Sequence, residues 1–146
     1  MNKTNIFENE VLELFFNNEA IADIGDALGL QPSATAGVLY IVLYSVMPTD
    51  STNGTEATFT GYARQTVARI TTEWDISGGQ ATNVNAITFP TSTSTETIAG
   101  CGISFTLTGV SKYFSIFTSN SVENPIEVIN GSIIEIKEGQ FKINED

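Results

Sequence analysis

The run Val38-Leu39-Tyr40-Ile41-Val42-Leu43-Tyr44-Ser45-Val46 limits the fold more than any other stretch of the chain. Successive side chains of a strand point to opposite faces, so this run is apolar on both faces at once. A strand of that kind must be covered on both sides, and its β-branched content argues against a helix. The chain around it must therefore supply two layers of apolar partners.

The residues before it read as helix. Asn5 with Glu8 three positions on fits a capping box. Phe7, Val11, Leu14 and Phe15 then recur at helical spacing, with Glu10 and Glu13 on the other side. Asn17-Asn18 interrupts the pattern, with Asn18 as the expected cap of a second helix whose stripe is Ile21, Ile24 and Leu28. Gly29 and Pro32 stop it.

The residues after it read as short strands between turn signals. Residues 47–57 form a polar loop, with Pro48 and Asn53-Gly54 as turn formers. Strands are expected over residues 59–70, over 80–89 up to Pro90, over 98–108 and over 112–118. Ser77-Gly78-Gly79 is a turn candidate, and residues 91–97, Thr-Ser-Thr-Ser-Thr-Glu-Thr, read as a solvated loop or edge strand. Three last strands fall at 125–129, 132–137 and 141–143, split by Asn130-Gly131 and Glu138-Gly139. Asn130-Gly131 fits a two-residue type I′ hairpin turn. Together these predict a mainly β fold: an antiparallel β-sandwich or jelly-roll-like domain at 35–146 behind a short N-terminal α-helical arm at 1–34, as one structural unit overall.

Composition narrows the function. No apolar run approaches the roughly 18 residues of a membrane helix, and the N-terminus lacks the basic start of a signal peptide. The formal net charge of −11 repels phosphate backbones, so neither nucleic acid nor membrane is an expected partner. The single cysteine, Cys101, can form no internal disulfide. There is no histidine, which removes the commonest general base and zinc ligand.

What remains is thin chemistry. Asp50, Glu56, Asp75 and Glu145-Asp146 are oxygen ligands without calcium-loop spacing and read as surface carboxylates. Glu73 and Asp75 would share one side of a regular strand, the minimal arrangement for a glycosidase, but an acidic chain produces such pairs by chance. Cys101, between Gly100 and Gly102, has no local cation to activate it. Trp74 reads as core. Arg64 and Arg69 are two of only six cations; one is expected to pair with a core-edge carboxylate and the other to reach a partner. No phosphate-binding glycine pattern occurs. No catalytic, metal or cofactor-binding residue is expected, and the chain is not expected to be an enzyme. Phe7, Phe15, Phe16 and Arg64 are the candidate partner-binding residues.

The order Leu39–Tyr44, Pro48-Thr49-Asp50, Gly61-Tyr62-Ala63-Arg64, Trp74 to Gly79, Asn83 to Pro90 (with Ile87-Thr88-Phe89-Pro90) and Gly102-Ile103 resembles a family of small tailed-bacteriophage virion proteins, often labelled head fibre or tail fibre proteins. It covers about residues 20–145. The chain departs from the family pattern at Ile116-Phe117-Thr118 and in residues 1–19. The resemblance implies a structural virion component, assembled in the host bacterial cytoplasm, whose partners are other virion proteins such as the major capsid protein or an appendage protein. It is compatible with a homo-oligomer. A long shaft has no room in this chain, so an auxiliary capsid or head-decoration protein is the first expectation. A tail-fibre or receptor-binding module, touching host glycans through residues 47–57 and 91–97, is the alternative.

Overall fold

A computed structural model describes residues 3–22, 24–116 and 125–145. The apolar run becomes strand β1 (Val38–Val46), and Ile41, Val42, Leu43 and Tyr44 are all buried, as cover on both faces requires. Ahead of it lie helix α1 (Asn5–Leu12) and one π-helical turn (Glu13–Asn17). After it come β2 (Thr55–Glu56), β3 (Gln65–Ala68), β4 (Trp74–Ser77), β5 (Gln80–Asn83), β6 (Ile87–Thr88), β7 (Glu96–Ile98), β8 (Gly100–Ser104), β9 (Ser111–Ile116), β10 (Ile126–Val128), β11 (Glu135–Ile136) and β12 (Lys142–Asn144). The protein is mainly β, with antiparallel sheets and one short N-terminal helix, as the turn-punctuated sequence predicts. No helix among the described residues is long and apolar enough to cross a membrane.

The chain divides into two compact units. The first comprises Met1–Val38, Val67–Ala86 and Lys137–Asp146. Its sheet has the order β12-β5-β4, with Ser77 opposite Gln80 across Gly78-Gly79. Both glycines have positive φ, 61° and 75°, the backbone of a type I′ turn. The helical segment packs on this sheet through buried Leu12 and Phe16. Phe16 meets Trp74 edge-on at 4.8 Å, and Trp74 donates its indole N–H to the Ala68 carbonyl at 3.1 Å. Buried Asn83 ties the unit together: its amide donates to the Asn85 and Lys137 carbonyls and accepts from the Phe141 N–H.

The second unit comprises Leu39–Thr66 and Ile87–Ile136. Its main sheet runs β2-β1-β8-β9, with the ribbons β10-β7 and β11-β6 beside it in sequence. Leu43 lies opposite Cys101 across β1 and β8, and Gly102 opposite Phe114 across β8 and β9. Cys101 is buried, and that burial pushes its thiol up to about 12, so it stays protonated as a small core residue.

Several local expectations fail for local reasons. Thr4, not Asn5, caps α1, its hydroxyl accepting from the Phe7 N–H at 3.4 Å. Among the described residues no second helix follows. Asn18 ends the helical segment in the left-handed region at φ 56°, and its side chain exchanges two hydrogen bonds with the Ser33 backbone. Ile21 and Leu30 then pair through both backbone groups, which a helix over that stretch would forbid. The strand expected over 59–70 shrinks to β3, because a turn at Gly61 interrupts it. The strand expected over 80–89 splits into β5 and β6, in different units. The strand expected over 98–108 stops at Ser104, where the chain bends into a loop. At Asn130-Gly131 only the glycine has positive φ, which excludes type I′, and β10 and β11 pair with β7 and β6 instead of each other. Phe117 and Thr118, from the expected strand over 112–118, and Asp146 lie outside the described residues.

Candidate functional site

In the second unit the stretch Gly61–Arg64 builds one connected polar cluster. It begins where β2 stops. Ala57 donates to the Leu43 carbonyl at 2.9 Å, but the Leu43 N–H on the same side of β1 finds no further β2 residue. The Tyr62 hydroxyl accepts that N–H at 3.1 Å and donates to Glu56 Oε1 at 2.8 Å. Two features place Tyr62 there. Gly61 turns the chain at φ 97°, and a side chain on it would lie 2.7 Å from the Thr91 carbonyl. The Tyr62 ring packs edge-on against Phe59 at 5.3 Å and parallel to Phe89 at 6.3 Å. Burial of that ring, with Glu56 beside it, pushes the Tyr62 phenol above its ordinary range.

Arg64 completes the cluster. One edge of its guanidinium pairs with both Glu56 oxygens, Nε to Oε1 at 2.8 Å and Nη2 to Oε2 at 2.7 Å. Arg64 holds the Glu56 carboxyl below the usual carboxylate range, against the opposing effect of burial. The remaining nitrogen, Nη1, donates to the Thr106 carbonyl at 3.1 Å and the Gly109 carbonyl at 2.9 Å. The single hydroxyl proton of buried Ser104 is shared between the same two carbonyls, at 2.8 and 3.0 Å, and its oxygen accepts from the Thr106 N–H at 3.3 Å. The loop 105–110 is thereby clamped from within the unit, and Glu56, Tyr62, Ala63, Arg64, Leu107 and Thr108 line a shallow open recess beside it.

This arrangement is poor catalytic chemistry. The carboxylate is neutralised by a bidentate arginine, the phenol is held protonated, and both serve the backbone. Glu73 accepts from the Asn85 amide at 3.1 Å, Asp75 is exposed on β4, and Glu145 pairs with Lys3 at 2.8 Å. Among the described residues, no three His, Cys, Asp or Glu side chains gather as metal ligands would.

The other sequence candidates lie in the first unit. Phe7 on α1 is partly exposed, Phe15 is half-buried, and Phe16 is fully buried against Trp74, so its ring belongs to the core of its own unit. Arg69 also turns inward. It donates to the Phe15 and Leu14 carbonyls at 2.6 Å each and to the Ala36 carbonyl at 3.1 Å. The Leu14 and Phe15 carbonyls lie in the last turn of the helical segment, where intrahelical donors run out. Sequence reading missed that role, and it missed the clamped loop; the one available signal was the scarcity of cations, which makes each arginine a candidate for a specific acceptor.

Residues 2–144 match the family described as podophage GP4 fiber I protein gp80. No curated protein matches the chain.

Proposed function

The chain belongs to that phage fibre protein family, and from that premise we propose that it is an auxiliary structural protein of the virion, seated on the head shell or fastening an appendage to it. It works by protein–protein contact and carries out no catalysis. One observation carries this reading. The residues that look most chemical, Glu56, Tyr62 and Arg64, are used to hold a loop that presents Leu107 and Val110 to solvent. Exposed aliphatic side chains on a held loop are what a contact surface needs. Phe7 and Ile6, exposed on α1, offer a second such surface in the other unit.

The receptor-binding alternative finds less support in residues 91–97. Buried Ser92 donates to the Ser94 carbonyl, and Glu96 accepts the Thr58 and Phe59 N–H groups at 2.7 and 2.6 Å. These polar groups serve their own unit. The test is addition of purified protein to particles assembled without it. Rebinding in a fixed copy number per particle is expected. Failure to bind under every assembly state of the particle would exclude the reading.

A further inference from the structure

We propose that Asn53 is a site of spontaneous covalent modification, losing its side-chain amide through a cyclic imide formed with the backbone of Gly54, while the fold protects the chain's other Asn-Gly pair, Asn130-Gly131. The reaction needs no partner but water. The Gly54 backbone nitrogen gives its proton to solvent and attacks the Asn53 side-chain carbonyl carbon. A C–N bond forms, the bond to Nδ2 breaks, and the nitrogen leaves with a proton as ammonia. Water then opens the ring. Opening at the side-chain carbonyl gives aspartate. Opening at the main-chain carbonyl gives isoaspartate, whose backbone runs through the former side chain. Nothing is oxidised or reduced. Glycine is the favourable follower because no Cβ crowds its nitrogen.

The two pairs lie in the same unit, and both asparagines are exposed. What separates them is the nitrogen that must attack. The Gly131 N–H donates to the Ser92 carbonyl at 2.8 Å, and Ser92 is fully buried. The Ser92 N–H returns a bond to the Ser132 carbonyl at 2.8 Å, so the turn is tied on both sides of Gly131. Attack there must first break that tie and leave a buried carbonyl without its donor. Asn53 follows a closed turn, in which Thr49 and Thr52 exchange backbone bonds at 3.0 and 3.3 Å. Among the described residues the Gly54 N–H is given to no acceptor. Nor can the fold exchange this glycine for a safer residue. Its φ is 69°, and a Cβ would lie 2.5 Å from both the Val46 carbonyl oxygen and the Pro48 nitrogen. The turn that leads into β2 therefore requires the glycine that makes Asn53 labile.

The test is incubation of the full folded chain in neutral buffer, sampled over time by peptide mapping with mass spectrometry that separates aspartate from isoaspartate. Asn53 is expected to convert to both products, and Asn130 about tenfold or more slowly, the factor that one retained hydrogen bond supplies. In urea the two sites should react at similar rates, because each asparagine follows a β-branched residue, Thr52 or Ile129, and precedes a glycine. The unfolded chain thus supplies the intrinsic rates against which protection is read. Amide exchange needs no variant and should be fast at Gly54 and slow at Gly131. Asn53→Gln should remove the early acidic product and leave the slow conversion of Asn130 unchanged. Equal rates at the two sites in the folded chain overturn the proposal. So does an Asn53 that keeps its amide in the folded chain while losing it in urea.

Discussion

Replacing Arg64 by alanine tests the logic of the clamped loop. The Arg64 side chain is 10 % exposed and that of Glu56 33 %. Breaking a fully buried ion pair costs about 3–5 kcal/mol, and breaking an exposed one about 0–1 kcal/mol. Glu56 can recover part of its hydration, so the lost pair should cost about 2 kcal/mol. The Thr106 and Gly109 carbonyls lose one donor each but keep Ser104, which adds about 0.5–1 kcal/mol. A total near 2.5 kcal/mol corresponds to a fall in melting temperature of about 5–10 °C for a chain of this size. The assay is urea unfolding of Arg64→Ala, Glu56→Ala and the double variant. Coupling between the two sites should be about 1.5–2.5 kcal/mol. Hydrogen exchange at the Thr106 and Gly109 amides should quicken in Arg64→Ala. A loss below about 0.5 kcal/mol, or purely additive single effects, would refute the claim that this pair organises the loop.

Gly61→Ala should cost about 1–3 kcal/mol, because φ is 97° and the new methyl would press on the Thr91 carbonyl; thermal unfolding measures it. Arg69→Ala should cost about 1–3 kcal/mol by removing the charged donor from the Leu14 and Phe15 carbonyls, and should free the helical segment to proteolysis before the rest of the first unit. The two shifted carboxylates should respond to pH with opposite signs. Glu56 is depressed by Arg64, so its contribution is present above the ordinary glutamate range and is lost as pH falls through its folded value; the stability gap between wild type and Glu56→Gln should close on acidification. Glu13 is raised by burial and by Glu19 and Glu10, so its ionised form opposes folding; Glu13→Gln should stabilise the protein at neutral pH and lose that advantage in acid.

How much was legible depended on whether one residue or several had to agree. Residues 38–46 could be read because their burial on both faces is written in consecutive positions, and the Gly78-Gly79 turn because two glycines tolerate the required φ without help. The second helix could not. Ile21, Ile24 and Leu28 have helical spacing, but the Asn18–Ser33 and Ile21–Leu30 bonds bring distant backbone groups together and outweigh it. The strand over 59–70 looked continuous because a glycine inside a strand pattern is ambiguous; its close approach to Thr91 is a tertiary fact. The candidate site was half visible. Tyr62 and Arg64 stood out in sequence, and a carboxylate partner for one arginine was expected. That the partner is Glu56, and that the far side of the guanidinium closes a loop at Thr106 and Gly109, depends on a sheet register that no local pattern encodes.

The central claim is that this chain is a structural part of a phage particle that acts through contact. Cryo-electron microscopy of intact particles tests it most directly, by fitting the two units into density and counting copies. The account predicts ordered density for the chain at fixed sites on the particle, with protein side chains packed against its exposed aliphatic surface. Mature particles without the chain, or chain present only as a free protein in the lysate, would contradict it.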